Sequence, residues 1–178
     1  MLFQSERLWS APRRKGGSMT ILLEVEEQNQ VIRSVEIELG DDATVEAAAM
    51  QFAAALGFLE AEEILEDLVA SGEQLQRHHK ASHYAHCGHR WTHRRVCIDL
   101  HFEAEEGKHH FPAQSKWSRV HRWGCGHFHV GADLCANLEL REGGPKGPVL
   151  NEHLDIGHFK DCKIVWLVKP GPEPYGQR

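Results

Sequence analysis

The stretch VCIDLHFEAEEGKHHFP, residues 96–112, sets the pattern from which the rest of the fold is built outward. Apolar side chains occupy every second position at its start: Val96, Ile98, Leu100 and Phe102. This alternation predicts a strand with one buried face. Glu105, Glu106 and Gly107 predict a turn, and the return strand is expected to end at Pro112. The stretch therefore predicts a β-hairpin.

A helix and two more strands are expected after this hairpin. Ser115 is placed to cap a helix, and apolar or small residues recur along one face of it: Trp117, Val120, Gly124 and Phe128. A strand at 138–140 and a turn at 143–148 follow, the turn rich in glycine and proline. The last strand, 162–168, ends in five consecutive apolar residues, which predicts a central strand covered on both faces.

The run from Leu138 to Val168 resembles the C-terminal half of ubiquitin. Both contain a strand, a turn with glycine, an intervening segment (here 149–157) and an apolar last strand. The resemblance implies an α+β fold of the ubiquitin-like β-grasp type over residues 95–169. It also implies that the chain acts as a protein-interaction or modifier protein, with other proteins as partners.

Residues 19–77 show the same order of elements, which is the signature of an internal repeat. Two alternating strands precede a helix that Gly57 is expected to end, and the helix entry at 41–46 also looks like that of ubiquitin relatives. We therefore expect two tandem β-grasp domains joined by a linker at 78–94. In an alternative topology, the hairpin and helix of 20–57 join 136–168 in one β-grasp, and 58–135 form a long insertion.

The distribution of charge changes close to residue 77, where the first predicted domain ends. Residues 19–75 carry 14 acidic side chains and a single arginine, whereas residues 76–178 carry 15 basic and 11 acidic side chains and all 14 histidines. Such a difference favours two units of separate composition. Residues 1–18 are basic and without periodicity, and are predicted to form a flexible extension.

The cysteines and the absence of long apolar runs bear on location. No stretch approaches the ~20 apolar residues of a membrane-spanning helix, and the N-terminus lacks a secretory signal, so we expect a cytoplasmic protein without membrane contact. The five cysteines are widely spaced and odd in number. Free thiols or metal ligands are therefore expected rather than a disulfide framework.

Two copies of the pattern His-x-x-x-Cys-Gly-His suggest a zinc site. Their possible ligands are His83, Cys87, His89, His121, Cys125 and His127. Zinc prefers thiolate and imidazole ligands, and the two copies could contribute two ligands each. On the predicted helix, His121 and Cys125 lie one turn apart and could bind together, whereas Cys125 and His127 point in different directions. The alternative is a polar linker followed by histidines on a helix surface.

Other chemistry has little support in the sequence. Neither a nucleophile elbow, a phosphate-binding glycine loop nor a His-Glu-x-x-His segment is present, which argues against an enzyme. Residues 76–130 carry nine Arg or Lys against four acids, and Trp91, Trp117 and Trp123 could stack on bases. Because these tryptophans could instead pack in the core, proteins are favoured over nucleic acids as partners.

The C-terminal segment, residues 170–178, is predicted to be extended because it contains three prolines. The resemblance to ubiquitin implies a role for Gly176. Once Gln177 and Arg178 are removed, Gly176 would be the terminal residue through which the chain is conjugated. The function predicted from the sequence is therefore a ubiquitin-like protein-interaction or modifier protein, open to processing or conjugation through its C-terminal tail at Gly176. The alternative is a zinc-binding module that uses the His/Cys-rich segment.

Overall fold

The computed structural model describes residues 17–171 of the 178-residue chain. Its strands are β1 (Ser18–Glu27), β2 (Gln30–Gly40), β3 (Leu68–Ala70), β4 (Glu73–Gln74), β5 (Arg90–Phe102), β6 (Glu105–Pro112), β7 (Glu139–Glu142) and β8 (Lys163–Val168). Its α-helices are α1 (Val45–Leu56), α2 (Ala61–Glu66), α3 (Trp117–His127) and α4 (Ala132–Cys135), and a 3-10 helix spans Ala81–Cys87. The strands form one mixed sheet with helices packed on it.

The long strand β5 belongs to both halves of this sheet. Its first half, 90–95, pairs in parallel with β1, and Thr92 and His93 pair with β3. Its second half pairs antiparallel with β6 and, over 98–101, in parallel with β8. Because β8 pairs with β5 and β7, and β1 pairs with β2 and β5, the topology with a long insertion at 58–135 is wrong.

The first hydrophobic core lies between α1 and the sheet. Thr44 begins the helix by accepting a hydrogen bond from the Ala47 amide at 3.1 Å, and Gly57 ends it in the left-handed conformation with φ of 76°. Tyr84 and Trp91 are each 1% exposed within this core. The prediction of a linker at 78–94 therefore fails, since the segment supplies core side chains and the start of β5.

The second core lies between α3 and the other half of the sheet. Trp117 and Val120 face it, as the helical spacing predicts, and Gly124 lies directly against Leu100, leaving no room for a larger side chain. The expected cap at Ser115 is wrong. The helix begins after Lys116, and the Ser115 hydroxyl donates instead to Glu66 at 3.3 Å.

Two further details differ from the sequence prediction. The turn between β5 and β6 lies at Glu103 and Ala104, where Glu103 has φ of 55°, and residues 105–107 already belong to β6. Strand β8 is buried on one face only: Val165 and Leu167 point into the core, whereas Ile164 is 46% exposed. A strand can lie between two partners in a sheet and still expose one face when no helix covers it.

Four of the five cysteines form two pairs at disulfide distance, Cys97 with Cys162 and Cys125 with Cys135. Cys97 and Cys162 lie one position before the parallel pairing of Ile98 with Lys163, with their Cα atoms 4.5 Å apart. This pairing corrects the expectation of free thiols, which fits only Cys87 among the described cysteines. An odd number of cysteines does not exclude two pairs, and the 65 residues between Cys97 and Cys162 hide their proximity in the sequence.

In the described part of the chain, no helix has the length and apolar character needed to cross a membrane. The extension predicted for 1–18 falls mainly on residues outside the described range, and so does most of the tail predicted for 170–178.

Candidate functional site

The exposed side of β8 presents an unusual surface for a sheet. We call it the β8 outer face and define it by Ile164, Trp166 and Val168, which alternate with the core residues of the strand. The imidazole of His101, on the neighbouring β5, stacks on the Trp166 ring with centroids 4.9 Å apart and planes 16° apart. This stacking fixes the orientation of the indole, and Trp166 stays partly exposed.

A pocket of about 230 Å³ opens at the end of the β8 outer face. Its apolar walls come from three parts of the chain: the end of β5, the turn before β8 and β8 itself, represented by Phe102, Pro145 and Trp166. Glu103 and Lys169 also line it and carry opposite charges. The pocket can therefore accept an apolar side chain, while its rim offers both an acceptor and a donor.

The first His/Cys segment forms a small cluster with a residue that the zinc prediction did not include. The Cys87 thiol donates to the Glu73 carboxylate at 3.1 Å, and its sulfur lies 3.2 Å from His86 Nε2. The hydrogen bond to this carboxylate raises the pKa of the Cys87 thiol. His86 Nδ1 lies 2.9 Å from the His83 carbonyl, and donation there leaves Nε2 free to bind an ion. Glu73, His86 and Cys87 could thus hold a metal ion.

The second segment forms a separate cluster. His121 and Cys125 lie one turn apart on α3, as the spacing predicts, and Cys135 at the end of α4 completes the group. The two cysteines are the second pair at disulfide distance. His121 Nδ1 lies 3.6 Å from Glu152, and the Nε2 atom is buried without a hydrogen-bond partner.

The two His-x-x-x-Cys-Gly-His segments do not meet in one site: within residues 17–171, no group of possible ligands contains members of both. The His83 carbonyl oxygen lies 2.9 Å from His86 Nδ1, and the His89 carbonyl accepts a hydrogen bond from the Leu22 amide at 2.8 Å. His127 stacks on Trp123, with centroids 4.7 Å apart. The two copies of the pattern therefore lie in separate groups of three possible ligands, one with Cys87 and one with Cys125.

The residues missed by the sequence reasoning were Glu73, His86 and Cys135. Glu73 and Cys135 lie outside both copies of the repeated pattern. His86 lies inside the first copy, directly before Cys87, but at a position that the pattern leaves variable. The one available signal for Cys135 was its short distance of ten residues from Cys125 in the sequence.

The tryptophans considered for base stacking are occupied by other contacts. Trp91 and Trp117 are 1% and 4% exposed. Trp123 lies between two imidazoles, those of His109 and His127, at centroid distances of 5.0 Å and 4.7 Å. None of the three offers a free ring face of the kind that single-stranded nucleic acid requires. Gly176, the predicted conjugation residue, lies outside the described residues.

Comparison with known proteins gives a fold likeness and no family. No protein-family model and no curated protein matches the sequence. Among solved structures, the N-terminal ubiquitin-like domain in the 4931431F19Rik protein is 10% identical, with a TM-score of 0.34, over 47% of this chain and 83% of that one. The C-terminal ubiquitin-like domain of mouse tubulin-specific chaperone e is 12% identical, with a TM-score of 0.34, over 46% and 93%. The mixed α/β character of the chain is given by its own strands and helices.

Proposed function

We propose that this chain is a non-catalytic protein-interaction module made of two tandem β-grasp units, and that the β8 outer face of the second unit binds a partner protein. The observation that carries the binding proposal is that Ile164 is exposed and Trp166 is partly exposed beside an apolar pocket. Scattered single apolar residues are normal on a protein surface, but a contiguous group next to a pocket is typical of a binding site.

The tandem arrangement is supported by the order of elements and by the two cores. A hairpin, a helix and further strands occur twice, and each set has its own cluster of buried residues. In each, the last strand lies parallel to the first: β5 to β1, and β8 to β5. Strand β5 would therefore be both the last strand of the first unit and the first strand of the second. A shared strand then stands in place of the linker expected from the sequence.

A fragment covering residues 94–171 is expected to fold alone. Every residue of the second core lies between Val96 and Leu167, and both cysteine pairs are retained. Residues 17–95 should also fold, whereas 19–77 should not, because it lacks Tyr84 and Trp91. Near-ultraviolet circular dichroism, recorded while each fragment is heated, shows whether that fragment is folded and unfolds cooperatively. A disordered 94–171 fragment, or a cooperatively folded 19–77 fragment, contradicts the division.

The chemistry of the β8 outer face defines the partner. The pocket wall is apolar, and Trp166 is held in place by His101, so little side-chain freedom is lost when a partner covers it. Tryptophan in such a position is a frequent energetic centre of protein interfaces. The partner we propose is a protein segment that inserts one large apolar side chain between Phe102 and Trp166.

Replacing Ile164 by arginine should weaken binding of that partner by about 2 kcal/mol or more, the range of an interface hot spot. The matched control is Ile32→Arg on β2, because Ile32 is 47% exposed and Ile164 is 46% exposed. Both variants should unfold at nearly the same temperature as the parent chain. The partner is identified by affinity purification with all three chains, then purified and titrated by calorimetry.

Equal affinity of the parent and Ile164→Arg chains, with a loss on Ile32→Arg, contradicts the assignment of the face. Conjugation or processing at Gly176 and residence in the cytoplasm are separate parts of the proposal, and neither is needed for binding at the β8 outer face.

A further inference from the structure

The most informative group outside the β8 outer face is formed by His121, Cys125 and Cys135, of which Cys125 is buried and the other two are half-buried. One possible ligand atom from each lies within 4.8 Å of the other two. Helix α3 places His121 and Cys125 on the same side because they are four residues apart. Cys125 is 6% exposed, and the segment 126–134 returns the chain so that Cys135 reaches it.

His121 has an unusual environment for a side chain in this position. Its Nε2 atom is buried and has no hydrogen-bond partner, although a buried polar atom without a partner costs about 1–3 kcal/mol. Its Nδ1 atom faces Glu152 at 3.6 Å. A carboxylate on one ring nitrogen and a free second nitrogen is the arrangement found around histidines that bind metal ions.

We propose that Cys125, Cys135 and His121 form a redox-controlled Zn²⁺ site. In the oxidised chain the two sulfurs are joined as a disulfide, and neither can act as a thiolate ligand. In the reduced chain the two thiolates and His121 Nε2 bind Zn²⁺, leaving a fourth position for water. Two thiolates and an imidazole match the ligand preference of zinc.

The redox step balances with a dithiol as reductant. The dithiol transfers two electrons and two protons to the Cys125–Cys135 bond, which breaks to give two thiols, and the dithiol itself becomes a cyclic disulfide. Zn²⁺ then displaces one proton from each thiol, and the two protons pass to solvent. The same ten-residue separation is closed by a covalent bond in one state and by the ion in the other.

The test uses the full chain, reduced with a phosphine, which takes an oxygen atom from water to become the phosphine oxide and binds zinc far more weakly than a dithiol does. Zinc is titrated against a chromophoric chelator, and cobalt is added separately, because its spectrum reports tetrahedral thiolate ligation. We expect the reduced chain to bind about one equivalent of zinc more than the oxidised chain does. Cys135→Ser should lower the affinity by about 100-fold or more, and Glu152→Gln by about 10-fold to 100-fold.

Two control variants separate this site from the other cysteines. Cys87→Ser removes the thiol of the Glu73–His86–Cys87 group, and Cys162→Ser removes one thiol of the other pair. Both should retain the extra zinc equivalent that reduction of the Cys125–Cys135 pair adds, because neither substitution touches that pair or His121. Circular dichroism of each variant checks that the fold is kept, and the cobalt spectrum of the parent chain counts thiolates without any substitution. Equal zinc binding by the reduced and oxidised parent chains overturns the proposal, as does a reduction-dependent equivalent that survives Cys135→Ser or is lost in Cys87→Ser.

Discussion

Replacing Trp91 by alanine should lower the free energy of unfolding by about 3–5 kcal/mol, the usual cost of removing a large aromatic side chain from a core. Trp91 is 1% exposed and meets the Phe52 ring edge to face, with centroids 6.2 Å apart. Its backbone pairs with Leu23 of β1. The loss therefore combines apolar burial, an aromatic contact and a cavity at the centre of the first core, and chemical denaturation measures it.

Trp166→Ala provides the matched control, because Trp166 is also a tryptophan on a strand but is only partly buried on the β8 outer face. Removal of the Trp166 side chain should lower the free energy of unfolding clearly less, since that ring is only partly buried in the folded chain. Similar losses for the two variants contradict the placement of Trp91 in the first core. Such a result would favour the linker that the sequence alone predicts for 78–94.

The strands and helices with a clear period were predictable from the sequence. Residues 96–102 alternate and form most of β5, and the apolar period from Val45 to Leu56 matches α1, with Gly57 at its end. The structure of the segment 78–94 was not predictable, because its many histidines give it no clear apolar period. Its two large core side chains, Tyr84 and Trp91, therefore do not stand out in the sequence. Its role depends on a parallel pairing with β1, which lies more than 60 residues earlier.

The candidate sites were predictable only where their parts are local. The spacing of His121 and Cys125 placed both on one side of a helix, and the structure keeps them together. Cys135 and Glu73 reach their groups through turns of the chain that no periodicity encodes. The β8 outer face was missed for another reason: five consecutive apolar residues predict burial on both faces, and the sequence does not show that one face lacks a cover.

His93 shows how burial makes the stability of this chain depend on pH. It lies on β5 beside β3 and is 0% exposed; Nδ1 can donate to the Ile64 carbonyl at 3.2 Å, while Nε2 has no partner. Burial, with a smaller effect from the charge of Arg95, lowers the pKa of His93 to about 4. The nearby Asp67 carboxyl has its pKa raised, again by burial, with Arg94 opposing the shift.

The free energy of unfolding should fall as the pH drops from about 6.5 to about 4. Above this window His93 is neutral in both states; inside it, the unfolded chain binds a proton that the folded chain does not bind. The loss is about 1.4 kcal/mol per pH unit and about 3 kcal/mol in total. Asp67 acts in the opposite direction, because its raised pKa makes protonation favour the folded state.

His93→Gln separates the two contributions, since glutamine can donate to the Ile64 carbonyl but does not titrate. The difference in unfolding free energy between the parent chain and this variant cancels the contribution of Asp67, as well as those of His109 and His158, whose pKa values burial also lowers. Denaturant titrations at several pH values give this difference. It should be constant above pH 7 and shift by about 3 kcal/mol in favour of the variant by pH 4. A difference that stays constant over this range shows that His93 is not held neutral by burial, because no other titrating group differs between the two chains.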